Sequence, residues 1–181
     1  MTRLRGLCTN RNGSVSIIIP APQCIDTLRD GGGISTAFMS RTGFRDWLKG
    51  SHNWKTIMGW WWRDEVPLDL AIAWEAEKFV RDTSWRPDRK DREALAQRWI
   101  NALHLGGLSE REAVALIIEK DAPAWSTAHE IVNVSDLPQD RTYRDAWRRS
   151  HNGGPIYIDG GKKIEIEEAK AWEGYHGTKT A

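Results

Sequence analysis

Residues 95–117, Leu95-Ala96-Gln97-Arg98-Trp99-Ile100-Asn101-Ala102-Leu103-His104-Leu105-Gly106-Gly107-Leu108-Ser109-Glu110-Arg111-Glu112-Ala113-Val114-Ala115-Leu116-Ile117, carry two helical patterns with a double glycine between them. Leu95, Trp99 and Leu103 recur every fourth residue with Ala96 and Ile100 beside them, the spacing of one helix face. Gly106-Gly107 stops that helix, because glycine accepts the left-handed backbone of a helix end. Ser109 followed by Glu112 is a capping box, in which each residue satisfies a backbone N–H of the other. Ala113, Leu116 and Ile117 then mark a second buried face, so an αα-hairpin is expected over 88–120.

Upstream, Asp64-Glu65-Val66-Pro67 opens another helix, with carboxylates near its positive end and a stripe of Leu68, Ala71, Ile72, Ala76, Phe79 and Val80. Leu70 and Trp74 pair beside it, and Glu75 lies at its edge, a position where a glutamate is usually solvated or ion-paired. Thr42 caps a short helix through Phe44, Trp47 and Leu48, closed by Gly50, and Ser51 or Asn53 caps the next one. Ser14 to Ile19 reads as a strand ending at Pro20, and Gln23 to Asp30 as a helix that Gly31-Gly32-Gly33 ends. Residues 1–14 are polar and read as a loose start.

Downstream, His129 to Val134 reads as a strand, Ser135 to Pro138 as a turn, and Arg141 to Ser150 as a short basic helix. Pro155–Ile158 and Lys163–Ile166 alternate around Asp159-Gly160-Gly161, which predicts a β-hairpin. Glu167 to Trp172 turns helical before a frayed tail from Gly174. The expected fold is α+β, mostly helical, with an αα-hairpin and a small C-terminal β-hairpin or sheet. It forms one domain over 1–181, with a Trp-rich helical part at 14–84, the hairpin at 88–120 and a small α+β part at 128–173.

Composition narrows the function. The chain has 181 residues, 26 Lys plus Arg against 25 Asp plus Glu, 40% hydrophobic and 28% charged residues, and so is globular rather than disordered. Near-neutral charge argues against broad electrostatic binding to nucleic acid. Two cysteines without CxxC spacing read as reduced thiols in a cytoplasmic setting. No run approaches the roughly 18 apolar residues of a membrane span, and no apolar core follows Arg3 and Arg5, so neither membrane insertion nor a signal peptide is expected.

Catalytic and metal signatures are missing from the sequence pattern. His52, His104, His129, His151 and His176 are scattered, with no HExxH pair and no cysteine beside them, so no metal site, cofactor or catalytic residue is assigned. An enzyme would need a pocket that joins His129 or His151 to a carboxylate, but His129 and Glu130 are adjacent in a strand and point apart. Gly31-Gly32-Gly33 lacks the Lys-Ser/Thr that would make it a phosphate loop. The start Leu108-Ser109-Glu110-Arg111-Glu112 resembles the first helix of LuxR-type helix-turn-helix domains, but no recognition helix follows it.

Tryptophan is the outlier, with 11 Trp beside three Phe and three Tyr. Trp60-Trp61-Trp62 cannot share one buried helix face, since neighbours are about 100° apart, so at least one ring is left for an interface. A second surface is the arginine set Arg141, Arg144, Arg148 and Arg149, where 141–149 carries four Arg and one Asp. Residues 64–82 hold six acids and two bases, so opposite patches can pair within the fold or between protomers. Phe44–Asn53 and Tyr143–Asn152 echo each other, sharing aromatic-Arg-Asp and Ser-His-Asn ends. No longer period recurs, which excludes a solenoid.

Asp136 to Trp147, Asp-Leu-Pro-Gln-Asp-Arg-Thr-Tyr-Arg-Asp-Ala-Trp, resembles a segment of uncharacterised small bacterial and prophage proteins that carry Asp-Arg-x-aromatic-Arg-x-Ala-Trp before a short strand. The resemblance covers Asp136 to Lys170 and departs at Gly160-Gly161-Lys162. It implies a mobile-element context and transfers no functional residue. The resulting expectation is a non-enzymatic protein of phage or prophage origin that binds a protein partner through Trp60, Trp61, Trp62, Arg141, Arg144, Arg148 and Arg149. A nucleic-acid-binding regulator is the alternative, and a small enzyme the third.

Overall fold

A computed structural model describes residues 3–38, 43–85, 88–150 and 153–177. The fold is α+β and mostly helical, and it divides into two compact units, 22–113 and the combination of 1–21 with 114–181. Among the described residues no helix is long and apolar enough to cross a membrane.

The unit 22–113 holds helices α1 (Pro22–Asp30), α2 (Phe44–Leu48), α3 (Trp54–Arg63), α4 (Leu68–Asp82) and α5 (Arg89–Leu105). Ile25 and Leu28 anchor α1, which ends at Gly31 with φ 80°. Asn53 caps α3 by accepting from the Thr56 backbone N–H at 3.0 Å, whereas Thr42 lies outside the described residues. The core of α4 is Ala71, Trp74 and Phe79; the expected stripe is thus re-centred on Trp74, and Leu68 is exposed. Trp74 is what turns it, because its ring packs on Phe44 and Trp47, each at 5.5 Å between centroids.

Helix α5 packs against α4 and α1. Gly106 and Gly107 both adopt positive φ, and the Gly107 N–H donates to the Arg29 carbonyl at 2.7 Å. In return the N–H groups of Gly32 and Gly33 donate to the carbonyls of His104 and Leu103 at 3.1 and 2.8 Å. A Cβ on Gly31 would stand 2.8 Å from the Leu105 carbonyl carbon, and one on Gly106 2.6 Å from the Arg29 oxygen, so the two helix ends meet main chain to main chain. The next helix, α6 (Glu110–Asp121), starts with the expected capping box: Ser109 N–H donates to Glu112 Oε2 at 2.8 Å and Glu112 N–H to Ser109 Oγ at 3.3 Å. From Val114 onward it belongs to the other unit.

That other unit is built on a three-stranded antiparallel sheet in the order β2-β1-β3, with β1 at Leu4–Asn10, β2 at Val15–Ile18 and β3 at Ser126–Asn133. Leu7 faces Ile17 on one side and Glu130 on the other. The central strand β1 corrects the expectation of a loose start at 1–14. Gly6, Leu7, Cys8 and Thr9 are all buried, so both faces are covered and no polar alternation marks the strand. Gly6 leaves room for Ile118 of α6, whose side chain would lie 2.5 Å from a Cβ there.

Two further expectations fail in this unit. Residues 141–150 form no basic helix: a 3₁₀ turn at Arg144–Ala146 leads into strand β4 (Trp147–Arg148), which pairs with β5 (Tyr157–Ile158). Consecutive Ala146 and Trp147 are both buried, and the Arg149 N–H donates to the Gly13 carbonyl at 2.8 Å, which holds the chain extended. The arrangement of Arg141, Asp145 and Arg149 as a helical ladder is therefore lost. Nor do 155–166 form a hairpin. Asp159 instead accepts from the Lys162 backbone N–H at 3.1 Å and starts helix α7 (Gly160–Gly177), so the expected frayed tail from Gly174 is helical as far as Gly177. Four alternating residues were too short a signal against the helix formers Glu167, Glu168, Ala169, Lys170 and Ala171.

Candidate interaction surface

Helix α3 sorts its aromatic residues by angle. Ile57 and Trp60 point inward, Trp60 at 9% exposure with its ring 5.1 Å from that of His52. Trp61 is half-buried, stacked on Phe38 at 6.2 Å, with the Arg45 guanidinium 5.4 Å above its ring. Trp62 stands 83% exposed and Trp54 51%. At about 100° per residue, Trp54, Trp62, Lys55 and Arg63 occupy the outer half of the helix, and each is exposed. The intervening Gly59 has nothing within 4 Å of an added Cβ. The helix Trp54–Arg63 carries no acidic residue, so this face is aromatic and cationic.

The four arginines have different environments. Arg149 is held between Glu130, at 2.6 Å, and the Gly154 carbonyl, which accepts from its Nε at 2.7 Å; its side chain is 11% exposed. Arg148 donates to the Asp145 and Trp147 carbonyls, each at 2.9 Å, and lies 3.5 Å from Asp159. Arg144 is exposed, with its guanidinium 5.9 Å from the centre of the Trp147 ring, and Arg141 is exposed. Arg148 and Arg149 therefore tie the chain together, while Arg141 and Arg144 face water. The three tryptophans belong to the unit 22–113 and the four arginines to the other.

Sequence reasoning missed Trp54, Lys55 and Arg63, although the spacing from 54 to 62 placed them beside Trp62. Elsewhere, Tyr143 donates to Glu167 Oε1 at 2.7 Å, and that bond to a carboxylate pushes its phenol pKa up. Burial likewise raises the thiol pKa of Cys8, which makes it a poor nucleophile. Glu130 is engaged by Arg149 rather than by His129, and His151 lies outside the described residues. Among the described residues no three His, Cys, Asp or Glu side chains are grouped to hold a metal. Compared with protein families, curated proteins and solved structures, the chain matches none.

Proposed function

We propose that the protein is a non-enzymatic interaction protein that binds an acidic protein partner through the outer face of α3. The observation that carries this reading is Trp62, a large indole at 83% exposure on a helix with cations and no acids. Burial of such a ring under a partner supplies hot-spot energy, and Lys55 and Arg63 select negative charge around it. A cytoplasmic setting fits the two cysteines, and the resemblance over 136–170 supports a phage or prophage source.

The test is affinity capture with the full chain after nuclease treatment, comparing wild type with Trp62→Ala and with a Lys55→Glu/Arg63→Glu variant. One acidic protein held by wild type and lost in both variants is the expected result, with unfolding curves unchanged. Capture unaffected by either variant overturns it. Loss of the complex on nuclease treatment, with affinity falling steeply in salt, moves the assignment to a nucleic-acid regulator.

A further inference from the structure

In the unit formed by 1–21 and 114–181, the β1–β2 turn and the α6–β3 loop enclose an open groove of about 720 Å³. Its walls include Arg11, Asn12 and Ser14 from the turn and Trp125, Ser126 and Thr127 from the loop. That volume is in the range of small-ligand sites, roughly 300–1,000 Å³. Both walls are pinned from behind. Gly13 N–H donates to the Asn10 carbonyl at 2.9 Å and the Gly13 carbonyl accepts from Arg149 N–H at 2.8 Å. Thr127 Oγ1 donates to the Thr9 carbonyl at 3.1 Å.

The chemistry left over is selective. Ser126 Oγ donates to the Pro123 carbonyl at 2.9 Å, so the hydroxyl protons of both Ser126 and Thr127 are already placed and their oxygens remain as acceptors. Asn12 Oδ1 accepts from the Ser14 N–H at 3.0 Å, which leaves its amide N–H groups as donors. Arg11 is exposed and has no ion-pair partner among the described residues. Trp125 is 57% exposed, a bare aromatic wall. A neutral sugar would use the Asn12 donors and the hydroxyl acceptors but leave the Arg11 guanidinium without a counter-charge. A planar base with an exocyclic amine and an attached phosphate uses what is present: an indole to stack on, hydroxyl oxygens to accept, and a guanidinium fork.

We propose that this groove binds a nucleotide unit, its base against Trp125 and its phosphate on Arg11. The site is independent of the α3 face and stands or falls without it. Calorimetric titration of the full chain in phosphate-free buffer, with adenosine 5′-monophosphate, adenosine, glucose and a six-residue oligoadenylate, tests it. The monophosphate should bind, with adenosine weaker, and Trp125→Ala and Arg11→Ala should each weaken binding about tenfold. Trp125→Phe should retain most of the affinity, a rescue that a merely structural role would not show. Both replaced side chains are exposed, and unchanged circular dichroism verifies the fold. Binding of the oligoadenylate alone, lost in the same variants, assigns the nucleotide to a nucleic acid strand rather than a free metabolite. Binding of neither, preferential binding of glucose, or binding indifferent to both variants overturns the proposal.

Discussion

Phe44-Arg45-Asp46-Trp47-Leu48 and Tyr143-Arg144-Asp145-Ala146-Trp147 open alike and fold differently. The first is the helix α2, with Phe44 and Leu48 buried four positions apart on one face. The second is a 3₁₀ turn running into a strand, with Ala146 and Trp147 buried side by side. Pairing holds this copy extended: Trp147 faces Ile158 and Arg148 faces Tyr157 across β4 and β5, and the Arg149 N–H donates to the Gly13 carbonyl at 2.8 Å. Even so, the arginine keeps one habit in each copy: Arg45 lies 5.4 Å from the centre of Trp61 and Arg144 5.9 Å from that of Trp147. Partners distant in sequence, not the shared opening, decide the backbone.

The widest test of this comparison is truncation of its two anchors. Phe44→Ala and Trp147→Ala should each cost about 3–5 kcal/mol in chemical denaturation, since both rings are fully enclosed. A loss below about 1 kcal/mol at Trp147 would break the account of the second segment. Position 146 sharpens it. Ala146→Trp copies the first segment's Trp47, but Ala146 is fully buried and Trp47 only half so. Overpacking should cost about 1–3 kcal/mol, without any gain in helical circular dichroism.

Removing the cation from either ring is a smaller change. Arg45→Ala and Arg144→Ala should each lower stability by about 0.5 kcal/mol, the scale of exposed cation–π contacts, and equal losses would support their parallel roles. The smallest effects are in pH. Lys49 donates to Asp46 at 2.7 Å and holds its carboxyl below the usual range. That contribution is present above the unfolded carboxylate pKa, about 3.9, and fades as pH falls through the folded value. The raised phenol of Tyr143 acts in the opposite direction. Its contribution is complete below the unfolded value, about 10, and is lost as pH rises through the folded one. Asp46→Asn should flatten only the acid limb of a stability–pH curve, and Tyr143→Phe only the alkaline limb.

Local chemistry carried much of the helical half. The cap at Asn53, the stop at Gly31 and the Ser109–Glu112 box all act within a few residues, so the sequence displays them directly. Long-range pairing was hidden. Strand β1 depends on partners at 15–18 and 126–133, and Gly6 matters only because Ile118 arrives there. Of the candidate surface, Trp62 could be read from helical geometry. The engagement of Arg149 could not, since Glu130 is brought to it by the sheet. The groove at Arg11 and Trp125 joins loops more than a hundred positions apart, beyond any motif.

The seam where α1 and α5 end has an evolutionary corollary. Its bonds join peptide groups at 29, 32, 33, 103, 104 and 107, so they do not depend on which side chains flank the glycines. Drift among the neighbouring non-glycine residues leaves that stitching in place, whereas inserting or deleting one residue in either helix slides every stitch at once. Descendants of this chain should therefore vary freely in letters on both sides of the seam and hardly at all in the counting between them.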